Sequence, residues 1–325
     1  MTSAAGPERI RIIDAHVNLG SDLAIPPEYI KEQAENAYHR LSTMGQPVKR
    51  DRIYERVHAQ YQDHDADRLV KEMDAAGVDE SVLIVPDFTH VADAKLTPVE
   101  LAELHAGILR RHPGRFRVLW GVDPRAGDEG VALFERCVDE LGFQGMKLYP
   151  LAGYSPSDRR LYPYYEICAA RGLPVLSHTG PGWQALDFTY GQPLLLDQAS
   201  RDFPGVNFIM GHGAVTHVEE AMYLCGYRPN MYVDVSGFVS VLDPDGWQHH
   251  LNRVFKLGLN HKIVFGSSWP AFRLSATLAQ VVGEFREGST VFAGIKRSQR
   301  KMIMGGTIER LLTGDRLPAG RMGAQ

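Results

Sequence analysis

The sequence predicts an α/β fold, a (β/α)8 TIM barrel with a helical insertion after the first strand, on three observations. Short apolar strands alternate with helical stretches of ten or more residues, the pattern of a parallel sheet covered on its outer face. Eight such strands can be counted, and eight close a barrel. The strands also end repeatedly on polar residues: His16 after Ile12-Ile13-Asp14-Ala15, Lys147 in Gly145-Met146-Lys147-Leu148, His178 after Pro174-Val175-Leu176-Ser177, and His212 after Phe208-Ile209-Met210-Gly211. Parallel barrels build their sites at the carboxyl ends of the strands, so one shared pocket accounts for all four.

In chain order, Arg9 to Ala15 is the first strand. Residues 20–62 then leave the barrel rhythm: Pro26-Pro27 starts a helix, and Gly45, Pro47 and the charged run Lys49 to Arg52 break the segment. An insertion of this length is expected to form a lid or dimerisation surface, because structureless loops of that size are uncommon. Its Tyr29, Tyr38, Tyr54 and Tyr61 read as packing residues. Asp67 to Ala76 is a helix with Leu69, Val70 and Met73 on one face and Gly77 at its end, followed by the strand Ser81 to Val85. Leu96 to Arg111, with Thr97 as cap and Pro98 at the first helical position, feeds the strand Phe116 to Val122. Helices at 127–141, 162–170, 194–203, 218–225 and 247–257 precede strands at 145–148, 174–176, 206–210, 231–235 and 262–265. Residues 295–311 form a last outer helix with Met302 and Met304 as core filler, and the chain frays beyond Leu317. The whole of 1–325 is read as a single domain.

With 44% hydrophobic and 23% charged residues in 325, the chain can bury a large core. A net charge of -4 and the lack of a basic run with interspersed aromatics exclude a nucleic-acid partner and leave a small-molecule substrate. Cys137, Cys168 and Cys225 are an odd, widely spaced set that suits reduced thiols. No stretch reads as a signal peptide or membrane span, so a cytoplasmic homo-oligomer, a dimer in the simplest case, is expected. His58, His64, His90, His105 and His112 read as surface groups, His249-His250 as an outer helix pair, and His217 as a residue near the pocket rim. Thr216 and Glu219 have the spacing of a helix capping box, and Asp123 before Pro124 that of a turn cap.

Four strand-end motifs carry a resemblance. His16-Val17-Asn18, His178 after Leu173-Pro174-Val175 and before Thr179-Gly180, Gly211-His212-Gly213, and Gly266-Ser267-Ser268-Trp269-Pro270 resemble the amidohydrolase superfamily. The similarity is to its amidohydrolase-related branch, which holds aminocarboxymuconate-semialdehyde decarboxylase and the resorcylate-type decarboxylases, and it spans about residues 10 to 312. The resemblance implies a metal-dependent barrel with His16, Asn18, Lys147, His178 and His212 as metal ligands. It places His212 as a ligand or an acid-base group, and Lys147 where binuclear members carry a carboxylated lysine bridging two metals. Two positions depart from the family pattern. Asn18 stands for the second histidine of His-x-His, and Ser268 for an aspartate that both ligates metal and deprotonates water; a serine hydroxyl cannot be that base near neutral pH.

Histidine and oxygen ligands with open positions suit non-haem iron, which binds O2 at such vacancies. The pattern is similar to an atypical actinobacterial group of iron-dependent monooxygenases of diterpenoid antibiotic biosynthesis. The expected activity is therefore hydroxylation of a bulky carboxylated or thioester small molecule with two metal ions, iron first and zinc or manganese as substitutes. The alternative is a metal-dependent decarboxylase or hydrolase of a small aromatic or unsaturated carboxylic acid, with Asp234 as the displaced catalytic carboxylate beside His212. A non-catalytic barrel is the second alternative. Trp183, Phe188, Tyr190, Phe238 and Trp269 are expected to line an apolar substrate pocket, with Arg273 meeting a carboxylate.

Overall fold

A computed structural model describes residues 9–238 and 246–314. Eight strands follow one another in space as they do in sequence: β1 (Ile13–Val17), β2 (Glu80–Ile84), β3 (Phe116–Val122), β4 (Met146–Leu148), β5 (Val175–His178), β6 (Phe208–Gly211), β7 (Met231–Asp234) and β8 (Ile263–Val264). Every neighbouring pair is parallel. The ring is completed from the segment after β8, where the Ala15 N–H donates to the Phe265 carbonyl at 3.0 Å and Val17 bridges Trp269. This is the (β/α)8 TIM barrel that the alternation predicts.

Two apolar layers follow from the two-residue period of the strands. Ile13, Ala15, Val82, Ile84, Leu119, Leu176, Ile209, Tyr232 and Val264 form one buried cluster, which Ile308, Leu311 and Leu312 join from the end of the chain. The alternate residues Leu83, Val118, Met146, Val175, Phe208 and Val233 belong to the larger cluster shared with the helices, which Val17 joins beyond the register irregularity in β1.

The helices are α1 (Pro27–Thr43), α2 (Arg50–His58), α3 (Asp67–Ala76), α4 (Pro98–Arg111), α5 (Gly127–Asp139), α6 (Tyr162–Arg171), α7 (Asp197–Asp202), α8 (Gly213–Thr216), α9 (Val218–Tyr227), α10 (Trp247–Phe255), α11 (Leu278–Glu284), α12 (Arg297–Lys301) and α13 (Thr307–Leu312). The expected caps form where the chemistry is local. Thr97 and Glu100 make a reciprocal capping box on α4, Gly77 closes α3 at φ 72°, and Asp123 accepts from the Arg125 N–H at 2.9 Å. The insertion contributes α1 and α2, with Pro27 at the first helical position.

Four expectations are corrected. The helix expected over 194–203 shortens to α7, because Pro193 opens a 3-10 turn through Leu196. Thr216 and Glu219 make no capping box: His217 is the cap residue of α9, and Glu219 pairs with Arg253. The last helix is interrupted by a π turn at Met302–Gly306, where the Ile303 carbonyl accepts from the Phe265 N–H at 2.9 Å, outside the helical ladder. His105 is a core residue, 1% exposed, its Nδ1 bonded to the Leu101 carbonyl at 2.8 Å on the inner face of α4. The expected fray beyond Leu317 lies outside the described residues. Among the described residues, no helix is long and apolar enough to cross a membrane.

Candidate metal and substrate site

His16, Asn18, Lys147, His178, His212 and Ser268, delivered by five different strands or the loops that follow them, line one chamber at the carboxyl ends of the barrel strands. It measures about 60 Å³ and opens, past Tyr29, Tyr149, His178 and His212, into an outer chamber of about 200 Å³. The His16 and His212 rings are 4.3 Å apart between centroids, and those of His178 and His212 are 4.9 Å apart.

Asp234 at the end of β7 organises this group. It is fully buried, and His16 Nδ1 donates to its Oδ2 at 2.7 Å. Its Oδ1 accepts the His212 N–H at 3.2 Å, the Ser236 N–H at 2.9 Å and the Ser236 hydroxyl, whose oxygen in turn takes His212 Nδ1 at 2.7 Å. Both carboxylate oxygens are therefore engaged, Oδ1 by three donors and Oδ2 by one. Burial opposes the charge on Asp234, but the adjoining His16 ring and these donors hold it ionised, well below the usual carboxylate range. The network therefore fixes tautomers: both rings spend Nδ1–H on the Asp234 system and keep the Nε2 lone pair free, the state of a metal-binding histidine. His178 is set the other way, its Nε2 donating to the Pro181 carbonyl at 3.1 Å and its Nδ1 left as the acceptor.

Burial pushes all three imidazoles below their ordinary range, His212 to about 3, so each ring is a neutral donor at neutral pH. Lys147 is 1% exposed and its Nζ has no hydrogen-bond partner; burial brings it down to about 7. Behind the chamber, Asp14 Oδ1 accepts the Ser267 N–H at 2.8 Å, and Ser268 donates its N–H to the His16 carbonyl at 2.9 Å. Close packing there depends on Gly266, where a Cβ would come within 2.8 Å of that of His16. Ser268 has φ 64° and His212 φ 55°, left-handed values that direct both side chains out of the strand path.

The expected substrate residues divide. Trp183 lines the outer chamber, 4.5 Å from Tyr29 and 5.2 Å from Phe88 between ring centroids. Phe188 is 45% exposed and Tyr190 half-buried, and neither lines the two chambers. Phe238 packs on His250 in the core. Trp269 is fully buried with its N–H on Glu72 at 3.1 Å, and Arg273 pairs with the same Glu72 at 2.8 Å, so both act in packing around α3 and not in the pocket. Asp234 stands at the strand end where it was expected, beside His212, with both its oxygens hydrogen-bonded. The pattern of strand ends did not point to Tyr29, Glu32, Gln33 and Asn36 of α1, nor to Phe88. Nor did it point to Tyr149, although that residue follows Lys147 by two positions. Glu32 Oε2, Trp183 Nε1 and Lys147 Nζ are buried polar atoms without partners, and all three belong to residues lining the chambers.

These donors fit a divalent metal. His16, His212 and Asp234 offer ligand atoms within 4.8 Å of one another, with His178 and Asn18 in the same chamber wall. A sequence profile described as amidohydrolase matches residues 13–313. The chain belongs to the amidohydrolase family. Among curated relatives it is 35% identical over 100 residues to a 2-keto-4-carboxy-3-hexenedioate hydratase of Sphingobium, a match covering 26% of this chain and 29% of the hydratase. Among solved structures it is similar to a dihydroxybenzoic acid decarboxylase from Polaromonas with bound manganese and 2-nitroresorcinol, at TM-score 0.61 and 18% identity over 95% of this chain and 98% of that one. A 5-carboxyvanillate decarboxylase from Sphingomonas paucimobilis matches at TM-score 0.60 and 17% identity, over 94% and 99%.

These findings correct the functional expectation. The named activities among the relatives are decarboxylation and hydration, which overturns the reading as an O2-dependent monooxygenase of terpenoid biosynthesis, and the metal named with them is manganese where iron was expected. The chain is read as an enzyme of a metal-dependent family.

Proposed function

We propose that this amidohydrolase is a metal-dependent decarboxylase of a small aromatic or unsaturated carboxylic acid, with hydration of such an acid as the second reading. The observation that carries it is the hydrogen-bond system of Asp234 and Ser236, which presents two imidazole Nε2 lone pairs to an inner chamber with no carboxylate in its lining, Glu32 standing in the outer one. His16, His178 and His212, with the weaker amide oxygen of Asn18, would hold one ion, and a divalent ion there supplies an electrophile for the substrate's carboxylate or a neighbouring oxygen.

Ser268 favours decarboxylation over hydrolysis. Hydrolysis needs a base to deprotonate water, and Ser268 offers none. Loss of CO2 instead breaks a C–C bond, leaves its electron pair on carbon, and requires one proton in return. Lys147, buried in the chamber wall with Nζ unpartnered, is the chain's group placed to donate a hydrogen bond and that proton. This role differs from the carbamate bridge of the resemblance, and it is taken with one ion because His16, His212 and Asp234 are the one group of ligating histidine and acidic side chains among the described residues. The walls of Tyr29, Tyr61, Phe88, Tyr149 and Trp183 suit a flat, unsaturated ring or chain, and α1 of the insertion covers it as a lid. Glu32 and Trp183 would orient a hydroxyl or keto substituent through their unpartnered Oε2 and Nε1.

The test is CO2 release from hydroxybenzoates and unsaturated dicarboxylates by manganese-loaded and chelator-stripped protein. Release that needs metal and is lost in His178→Ala supports the reading. Addition of water across a double bond without CO2 supports the hydratase, which a match to the Sphingobium enzyme favours.

A further inference from the structure

A second cavity, of about 340 Å³, lies outside the barrel wall between the ends of β2 and β3 and helices α4 and α5. Its volume is within the range of small-molecule sites. Ile25, Pro86 and Phe88 stand in its wall and in that of the catalytic chamber, but none of the metal-binding candidates reaches it. Most of the lining is aliphatic and aromatic, including Trp120, Leu101 and Leu133.

The polar groups in this wall are few, and their pairing is informative. Asp123 is neutralised by the Arg125 guanidinium, at 2.7 and 2.5 Å, and Lys95 at the mouth is held by Asp22 at 2.9 Å. Asp87 is different. Its Oδ1 accepts from Thr89 N–H at 2.9 Å and Thr89 Oγ1 at 2.6 Å, while Oδ2 has no partner among the described residues. Burial raises the Asp87 carboxyl, against the Thr89 hydrogen bonds and the nearby His90. Deeper in the wall, Tyr164 is 1% exposed and its Oη has no hydrogen bond; it faces Gly130, where a Cβ would collide with it. An unpaired acceptor and an unsatisfied buried hydroxyl in one apolar cavity are the features of a ligand site.

We propose that this cavity is a second small-molecule site, selective for an apolar amine whose ammonium meets Asp87. The lining carboxylates without an ion pair among the described residues are Asp87, which His90 and Arg125 influence only at longer range, and the exposed Glu129 at the rim. A carboxylate is therefore disfavoured here, the reverse of the preference proposed for the catalytic chamber, and the site stands independently of that reading.

The experiment is calorimetric titration with 1-adamantylamine and with 1-adamantanecarboxylate. It uses the full chain and the variants Asp87→Asn, Ala94→Trp and His178→Ala, each checked for fold by circular dichroism. Ala94 is an exposed lining residue, so a tryptophan there narrows the mouth without entering the core. The amine is expected to bind the parent and His178→Ala equally, and about ten-fold or more weakly to Asp87→Asn, the loss for a charge-assisted hydrogen bond. Ala94→Trp should also weaken it, and the carboxylate should bind the parent less tightly than the amine. Undetectable binding to the parent at millimolar amine, equal binding to Asp87→Asn and Ala94→Trp, or loss of binding in His178→Ala would each overturn the proposal; the last would move the ligand into the catalytic chamber.

Discussion

Replacing Asp234 by asparagine tests the organisation of the site without changing its size. The aspartate now accepts one donor on Oδ2 and three on Oδ1. An asparagine has one accepting oxygen and one donating nitrogen, so its oxygen must serve the crowded side and its NH2 must turn to His16. His16 Nδ1 would then face a donor and have to accept, which moves the ring proton to Nε2 and removes the lone pair offered to the metal. Loss of such an outer partner typically costs 10–100-fold in metal affinity, about 1.4–2.7 kcal/mol. Competition of the apo protein against a fluorescent manganese chelator measures this directly, with circular dichroism to confirm that the barrel is folded. Ser236→Ala severs only the branch to His212 and should weaken manganese less. A folded Asp234→Asn protein that binds manganese like the parent would refute the tautomer account.

Other consequences follow from the same geometry. His178→Ala should lose at least about ten-fold in manganese affinity with little change in melting temperature, because the ring faces the chamber and not a packed layer. Arg273→Ala should lower stability by on the order of 1 kcal/mol through its pair with Glu72, leaving KM unchanged in a CO2-release assay. His105, held down to about 4 by burial, binds its proton less readily in the folded state than in the unfolded one. Its neutral form therefore contributes fully above pH 6.5, and stability falls as pH drops from there toward 4, by about 3 kcal/mol. His105→Gln should flatten that part of a urea-denaturation pH profile. Ser268→Asp is compatible with the left-handed backbone at this position and should tighten manganese binding, read in the same chelator competition.

The barrel was legible because its signals are local. Strand period, Gly77 after α3 and the Thr97 cap each depend on neighbouring residues, and the structure reproduces them closely. The strand-end residues His16, Lys147, His178 and His212 were legible as a set because a parallel barrel brings those ends together whatever the loops do. The remainder depended on distant packing. Glu72 of α3 reaches Trp269 and Arg273, nearly two hundred positions away, and removes both from the pocket. Tyr29 faces the chamber because α1 folds back over the barrel, which the spacing of the insertion does not encode. The role of Asp234 lay between these cases: its place at a strand end was readable, but its hydrogen bonding to His16, His212 and Ser236 is a property of three elements meeting. Met304 read correctly as core, whereas the π turn around it follows from Ile303 serving Phe265.

The central claim is that the chamber removes a carboxylate and returns a proton to the same carbon. Its most direct measurement is proton and carbon NMR of the product formed by manganese-loaded protein in D2O from a hydroxybenzoate or unsaturated dicarboxylate that it turns over. The account predicts one CO2 per product, one deuterium at the vacated carbon, no oxygen from labelled water in the product, and loss of turnover in Lys147→Met. Product that retains every carboxylate and has gained oxygen from water would contradict it.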